Sequence, residues 1–534
     1  MRYSDYVSTK KTPQSEPIFG TTNQVENNAG GFVYKVSKWD QLLRFLILGS
    51  AGGTYYVGER KLTIENAQVV IDCLAEDAAK TVEIIAGVSS KGRAPKNDSA
   101  IFALALACCN TVQANKVYAY RALPQVLRTG THLFQFVADI QNLRGWSRGL
   151  RSAVSRWYTQ NPNVEYQLAK YQNRHGWTHK DVMRLSHPTP KNDTQADLFK
   201  LVVGKGQPTE NTPIFAAMQA LKVAETSHAV AAEIVKGNRL SREMVPTEYQ
   251  NKPFMQDALL HSMPIGALIR NLGAYSASGF LSSPLTPQVQ YVCDMLRNVD
   301  VLQKGRVHPY SVLEAMVTYS AGRGVKGKLT WTPVQAIVDA LNDAFYLAFQ
   351  SVEATNKRHL LAIDVSGSMT CAAIGGGNLS AAAAAAAMAL VTANVEKNAE
   401  IVGFSTKSNH SNPADNLIVP LAISPRNRID DAMLTIAKVP FGRTDCSLPI
   451  MYAMQKRLIV DAFVIYTDNE TYAGPIHVSQ ALAEYRSKFN PNAKLVVVGM
   501  TATDFSVADE NDSGCLNIVG FDTSAPAVIT EFVK

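Results

Sequence analysis

Between Lys38 and Val352 the apolar residues recur every three to four positions. The stretch Thr131–Leu143 gathers Leu133, Phe136, Val137 and Ile140 on one helical face, and Thr332–Phe349 does the same with Val334, Ile337, Val338, Leu341 and Phe345. Thr332–Pro333 reads as an N-cap followed by proline in the first turn, and Thr63, Thr212 and Thr286 read as helix starts of the same kind. Many short helices joined by polar turns, without strand-like alternation or a fixed repeat length, predict an α-solenoid of HEAT-like helix pairs. Breakers concentrate in His187–Pro213 and Gly322–Thr330, and residues 1–31 read as a polar, poorly ordered arm.

After His359 the period changes. Strand-like runs at His359–Asp364, Glu400–Phe404, Ala462–Tyr466, Lys494–Val498 and Leu516–Gly520 alternate with helical stretches at Ser380–Val395, Arg428–Ala437, Ser447–Gln455 and Val478–Lys488. This order predicts a Rossmann-like parallel sheet with helices on both faces, which places ligands beyond the carboxyl ends of the strands. The expected fold is multidomain, an α-solenoid over residues 32–357 followed by an α/β domain over 358–534. The boundary falls in the polar segment Glu353–Arg358.

Composition narrows the class. A chain of 534 residues with 46% hydrophobic and 18% charged residues is globular, which excludes wholesale disorder, collagen and coiled coil. The longest apolar run, Ala381–Val391, falls short of the ~18 residues a membrane span needs. The first thirty residues lack the apolar core of a signal peptide. Seven scattered cysteines without a CxxC pair indicate neither a disulfide framework nor a zinc site. The expectation is a cytoplasmic protein with no membrane partner.

Charge divides the chain in two. Residues 359–534 carry 12 Lys and Arg against 17 Asp and Glu, so the excess of the +7 chain lies wholly before them. It peaks in Arg144–His187, which holds eight Lys and Arg against Glu165 and Asp181, together with Trp146, Trp157 and Trp177. Arg144, Arg148 and Arg151 are spaced as on one helical face, as are Lys170 with Arg174, and Lys180, Arg184 and His187 on a helix opened by the capping box Thr178–Asp181. Like charges on three consecutive helices repel, so a polyanion offsets the repulsion, and RNA fits through phosphate contacts and base stacking. The plainer reading is a solvated basic face over a core of Trp and Tyr. His175 and His179 read as surface or packing residues.

The acidic part carries a different chemistry. Asp364, Ser366 and Ser368 form D-x-S-x-S at the end of a predicted strand, Thr444 lies in the turn Gly442–Asp445, and Asp468 ends another strand. Hard oxygens with few charges suit Mg²⁺, which keeps waters and leaves room for an outside carboxylate or phosphate. This pattern resembles the metal-ion-dependent adhesion site (MIDAS) of von Willebrand factor A domains. The plainer reading is serine capping of the following helix, with the aspartate in a turn.

The chain as a whole resembles the Ro autoantigen family, a TROVE module joined to a von Willebrand factor A domain. The resemblance rests on GTYY (Gly53–Tyr56), THLFQF (Thr131–Phe136), the stretch Lys170–His187, IRNLG (Ile269–Gly273), LLAIDVSGSM (Leu360–Met369), TDCSLP (Thr444–Pro449) and GFDT (Gly520–Thr523). It implies a closed ring of HEAT-like repeats that binds small noncoding Y RNA on its outer surface and single-stranded 3′ ends of misfolded or precursor RNAs in its hole. It assigns Y RNA contacts to Lys170, Arg174 and His187, and the metal to Asp364, Ser366, Ser368, Thr444 and Asp468. The bacterial branch implies work with exoribonucleases such as polynucleotide phosphorylase, and the metal site implies an acidic protein ligand. The arm before Phe32 and the segment Pro188–Tyr249 depart from the family pattern.

Two other functions compete with a noncatalytic RNA binder. A Mg²⁺-dependent nuclease needs more carboxylates than D-x-S-x-S supplies for two-metal chemistry. No G-x-x-x-x-G-K-[ST] loop is present, and the run Gly375–Gly377 precedes Asn378 rather than a lysine. A protein-interaction scaffold built on the metal site leaves the basic helices merely solvated.

Overall fold

The computed structural model describes the chain except residues 1–10, 223–226, 326, 350–352, 372–378, 407–415, 424–426 and 441. The glycine run 375–377 lies outside the described residues. Eighteen α-helices follow one another from Lys38 to Leu347 among the described residues, and each packs mainly on near neighbours in sequence, as a solenoid requires. Side-chain caps start many of them: Thr129, Ser147, Thr178, Asn192 and Thr286 each accept from a backbone N–H of the first turn. Two expected starts fall elsewhere. Thr63 lies inside the helix Glu59–Glu76, and the helix Gln335–Leu347 begins at Val334, beyond the Thr332–Pro333 pair.

The solenoid closes on itself. Arg306, in left-handed backbone at φ 48°, donates from Nε to the Ser90 carbonyl (2.7 Å), and His308 Nε2 lies 3.2 Å from the Arg93 carbonyl. Helices near the end of the solenoid therefore meet those near its start. The α/β domain spans this seam: Arg93 pairs with Asp522, and the Tyr310 ring meets Phe521 edge-on at 5.5 Å. On the same side Arg44, 1% exposed, donates from Nη1 to the carbonyls of Thr503 (2.8 Å) and Phe505 (2.7 Å).

Two short strands precede the helical part and two interrupt it, the latter against the expectation of none. Strands β1 (Gln24–Glu26) and β2 (Phe32–Lys35) precede the first helix, and β3 (Asn173–Arg174) with β4 (Trp177–Thr178) form a hairpin. The α/β domain contributes β5 (Arg358–Asp364), β6 (Asn398–Thr406), β7 (Asn416–Pro420), β8 (Ala462–Thr467), β9 (Lys494–Gly499), β10 (Phe505–Ser506) and β11 (Cys515–Val519). The main sheet runs β11-β9-β8-β5-β6-β7, parallel throughout except for β7, which pairs antiparallel with β6 at the edge. The helix Ala381–Val395 covers one face with a nearly continuous alanine surface, and the small side chains let it sit close to the strands.

The arm is corrected by the structure. From residue 11 onward it is ordered against the α/β domain: β2 pairs with both β1 and β10, and Gln14 is fully buried. Its backbone polar groups are satisfied by a distant part of the chain, which leaves no local signal in the sequence. No helix among the described residues is long and apolar enough to cross a membrane.

Candidate functional site

Between residues 144 and 187 the structure redistributes the basic side chains. Arg144 is the C-cap of the helix Gly130–Leu143, whereas Arg148 and Arg151 lie on the next helix, Arg148–Gln160, so the three do not share one helical face. The helix Val164–Lys170 ends at Lys170, and Arg174 stands in the β3–β4 hairpin instead of four positions further along that helix. The hairpin turn is His175–Gly176, with φ of 52° and 77°; both central residues in the left-handed region make the two-residue turn that fits a twisted hairpin. Gly176 is thus a turn position, and Lys170 and Arg174 do not share a helical face. Lys180 and Arg184 lie on the helix His179–Ser186, and His187 caps its C-terminus in left-handed backbone.

The expected capping box is present: Thr178 Oγ1 accepts from Asp181 N, and Asp181 Oδ2 accepts from Thr178 N (3.1 Å). Arg144, Arg148, Arg151, Arg174, Arg184 and His187 are exposed, and Lys170, Lys180 and Trp177 are half-buried. Among the described residues none of these basic side chains forms an ion pair. Lys170 Nζ lies over the rings of Tyr166 (5.5 Å) and Tyr171 (5.4 Å), which fix its stem and leave its charge unneutralised. Trp157 and Tyr158 are core residues, and Trp177 packs against the same core. His179 is 3% exposed, stacked on Trp157 and bonded to the Tyr158 hydroxyl (3.0 Å), and burial pushes its imidazole down to about 3.

The second cluster lies at the carboxyl ends of β5 and β8. Asp364, Ser366, Ser368, Thr444 and Asp468 are each no more than 3% exposed. Asp364 Oδ1 accepts from Ser366 N (2.9 Å), Oδ2 accepts from Thr467 Oγ1 (2.7 Å), and the Ser366 and Ser368 hydroxyls are 3.2 Å apart. The Gly442 carbonyl and Gly367 N, 3.4 Å apart, bring the Thr444 turn onto the same strand end. A side chain at Gly442 would collide with the Thr406 carbonyl, so this close approach requires glycine.

Burial pushes both carboxyls above the ordinary carboxylate range, and for Asp364 the neighbouring Asp468 adds to it. Neither faces a cationic side chain among the described residues. Two buried like charges without a counter-charge are costly, and a divalent cation resolves that cost. The donor set, two carboxylates and three hydroxyls, fits Mg²⁺.

Sequence reasoning missed the support of this cluster. The loop Asp468–Ile476 is held by the arm: Gln14 Nε2 donates to Asp445 Oδ1 (2.8 Å), and Gln14 Oε1 accepts from Thr471 Oγ1 (2.5 Å). Asn27 Nδ2 donates to the Thr471 carbonyl (2.8 Å), and Asn28 Nδ2 donates to Glu470 Oε1 (2.7 Å). Burial, with the Asp468 charge adding to it, pushes Glu470 up to about 8. Thr467, in Tyr466-Thr467-Asp468, was readable as a strand-end hydroxyl. Gln14, Asn27 and Asn28 carried no signal.

Known proteins share both halves of this arrangement. Residues 25–234 match the family model described as the TROVE domain, and residues 358–533 match the Ro60 vWA domain. The first match begins inside the arm and runs through 188–234, most of the segment whose motifs departed from the family pattern. The chain is 40% identical to the RNA-binding protein RO60 of Deinococcus radiodurans, over 98% of this chain and 97% of that one. It is 33% identical to the RNA-binding protein RO60 of Caenorhabditis elegans, over 96% of this chain and 90% of that one. The crystal structure of the Deinococcus radiodurans RO (RSR) protein superposes with a TM-score of 0.68 at 38% identity, covering 93% of this chain and 99% of that one.

Proposed function

Because this chain belongs to the RO60 family and is a bacterial Ro ortholog, we propose that it is a noncatalytic cytoplasmic RNA-binding protein. Small noncoding Y RNA docks on Lys170, Arg174 and His187, flanked by Lys180, Arg184, Arg144, Arg148, Arg151 and Trp177. Single-stranded 3′ ends of misfolded or precursor RNAs enter the ring, and exoribonucleases such as polynucleotide phosphorylase act on what it holds. The observation that carries the reading is a run of basic side chains in which no member is neutralised by an acid among the described residues. Within residues 144–187 the acids are Glu165 and Asp181 alone, and Glu243, which faces Lys170 from a later segment, forms no salt bridge with it. Glu165 is spent on the backbone N–H groups of Ile214 and Phe215, and Asp181 on its own cap.

Asp364, Ser366, Ser368, Thr444 and Asp468 would hold Mg²⁺, which when bound would attract an acidic side chain of a protein ligand. The chain's own residues bury and orient the oxygens and exclude bulk water. A metal-dependent interaction scaffold is therefore a second function of the same chain, favoured by the buried carboxylate pair. A salt titration of affinity for a structured RNA tests the first function: phosphate contacts weaken it steeply between about 50 and 200 mM salt, and a flat dependence overturns it. Mg²⁺-dependent RNA cleavage that disappears in Asp364→Ala would overturn the noncatalytic assignment.

A further inference from the structure

Next to Lys170 the solenoid contains a cavity of about 290 Å³ bounded by the segment 240–250 and the helix Ile265–Ala277, with Lys170, Ser241, Arg242, Gln250, Ala267 and Asn271 among its walls. Most of it is built from residues beyond the matched stretch 25–234. Its polar groups divide into spent and free. Arg242 donates from Nη1 to Asn271 Oδ1 (3.1 Å) and from Nη2 to Asn251 Oδ1 (3.4 Å), which fixes the guanidinium plane. Gln250 Nε2 donates to the carbonyls of Arg242 (3.1 Å) and Val245 (2.9 Å) and pins the turn that carries Arg242. Left without a partner are Arg242 Nε and the hydroxyl of Ser241, a residue only 8% exposed. Arg242 Nε and Lys170 Nζ can only donate and the Ser241 hydroxyl can donate or accept, opposed by the single carboxylate of Glu243.

A cavity of this size, walled by fixed donors and beside a cation, fits one nucleotide rather than a bare phosphate. We propose that it takes an unpaired nucleotide turned out of a bound RNA, with the base inside against Ser241 and Arg242 and its phosphate on Lys170. This rests on the RNA-binding reading above. Free donors favour a base edge that presents carbonyl oxygens, as uracil and guanine do and adenine does not. A paired base has its edge occupied by its partner and cannot present it to Arg242; an unpaired base reaches the site at the smallest unstacking cost.

The experiment uses the full-length protein and a stem-loop RNA carrying one 4-thiouridine, either unpaired in the loop or paired in the stem, with photocrosslinked peptides identified by mass spectrometry. The unpaired probe should give an adduct within residues 240–271, and the paired probe should not. Ala267→Phe fills the cavity without altering charge and should lower that adduct about tenfold, the size of one lost base contact, while total affinity stays dependent on Lys170. Ser241→Ala, which adds no bulk, is the second variant and should lower the adduct about fivefold. An adduct outside residues 240–271, equal adducts from paired and unpaired probes, or an adduct unchanged in a folded Ala267→Phe or Ser241→Ala protein overturns the proposal. Loss of the adduct with Lys170-dependent affinity intact concerns the cavity alone. Affinity indifferent to Lys170 and Arg174 overturns the RNA-binding surface itself.

Discussion

Neutralising Lys170 and Arg174 together is the sharpest test of the basic surface, because their surroundings separate charge from packing. Lys170 lies over two tyrosine rings, so truncation to alanine would remove packing as well as charge, whereas Lys170→Met keeps most of the stem. Arg174 is exposed in a two-residue hairpin, and among the described residues its side chain bonds only to its neighbour's carbonyl, so Arg174→Met costs little stability. If each cation meets one phosphate, the double variant loses two contacts and the slope of log affinity against log salt becomes shallower by about 1.4 to 1.8. Carried from a 1 M reference to 0.15 M salt, that is a loss of about 15- to 30-fold, shrinking to about threefold at 0.5 M. Fluorescence anisotropy with a labelled structured RNA at several salt concentrations reads both quantities, and thermal unfolding checks the fold. An affinity loss that is the same at every salt concentration would refute the phosphate contacts, and no loss at all would refute the surface.

Three further outcomes follow from the rest of the molecule. Wild-type protein should be stabilised by Mg²⁺, by about 2.7 kcal/mol at a hundredfold excess over Kd, and Asp364→Ala should abolish that stabilisation while leaving RNA affinity within about twofold; a Mg²⁺ response retained by the variant in calorimetry sinks the metal site. Burial pushes His308 down to about 4, below the ~6.5 of an unfolded chain. The folded state therefore resists a proton the unfolded state accepts, and stability from this residue, full above pH 6.5, is lost as pH falls toward 4. Relative to His308→Gln, wild-type stability in urea should drop by about 1.2 kcal/mol between pH 6 and 5, and a parallel dependence in the two proteins contradicts this. Arg44→Met strips the donor from the buried carbonyls of Thr503 and Phe505 and should cost about 2–4 kcal/mol in urea unfolding; a change under about 0.5 kcal/mol would show that Arg44 does not anchor the two domains.

The parts legible in the sequence are those whose cause is local. The strand β5 ending in Asp364 and the helix Ala381–Val395 capped by Ser380 are each announced within a few residues by period and cap. The meeting of Asp364, Ser366, Ser368 and Asp468 was legible for the same reason: D-x-S-x-S is a contiguous turn, and Asp468 follows a strand whose apolar run is unmistakable. Edge strand β7 was missed because an edge buries little and its run, Asn416–Pro420, is short and ends in proline. Arg174 was placed on a helix because the four-residue spacing from Lys170 imitates one. The left-handed pair His175–Gly176 decides for a hairpin, and only the glycine of that pair is a visible signal.

The arm and the seam failed for a deeper reason. Gln14 earns its burial from Asp445, Thr471 and Gly474, more than four hundred residues away, and a polar segment with distant partners reads as a disordered one. Ring closure likewise depends on Arg306 meeting Ser90 and on the Arg93–Asp522 pair across the two domains. The seam is made by hydrogen bonds and one ion pair as well as by apolar packing, so its chemistry is unlike the periodic core that holds successive repeats together. The acidic domain fastens the ring through Asp522 and Phe521, just past β11, at the same carboxyl-end edge of the parallel sheet that carries Asp364 and Asp468. Lys170, Arg174 and His187 belong to the solenoid and Asp364 to the α/β domain, so an RNA held by the first three should keep its affinity when the Asp364 carboxylate is removed.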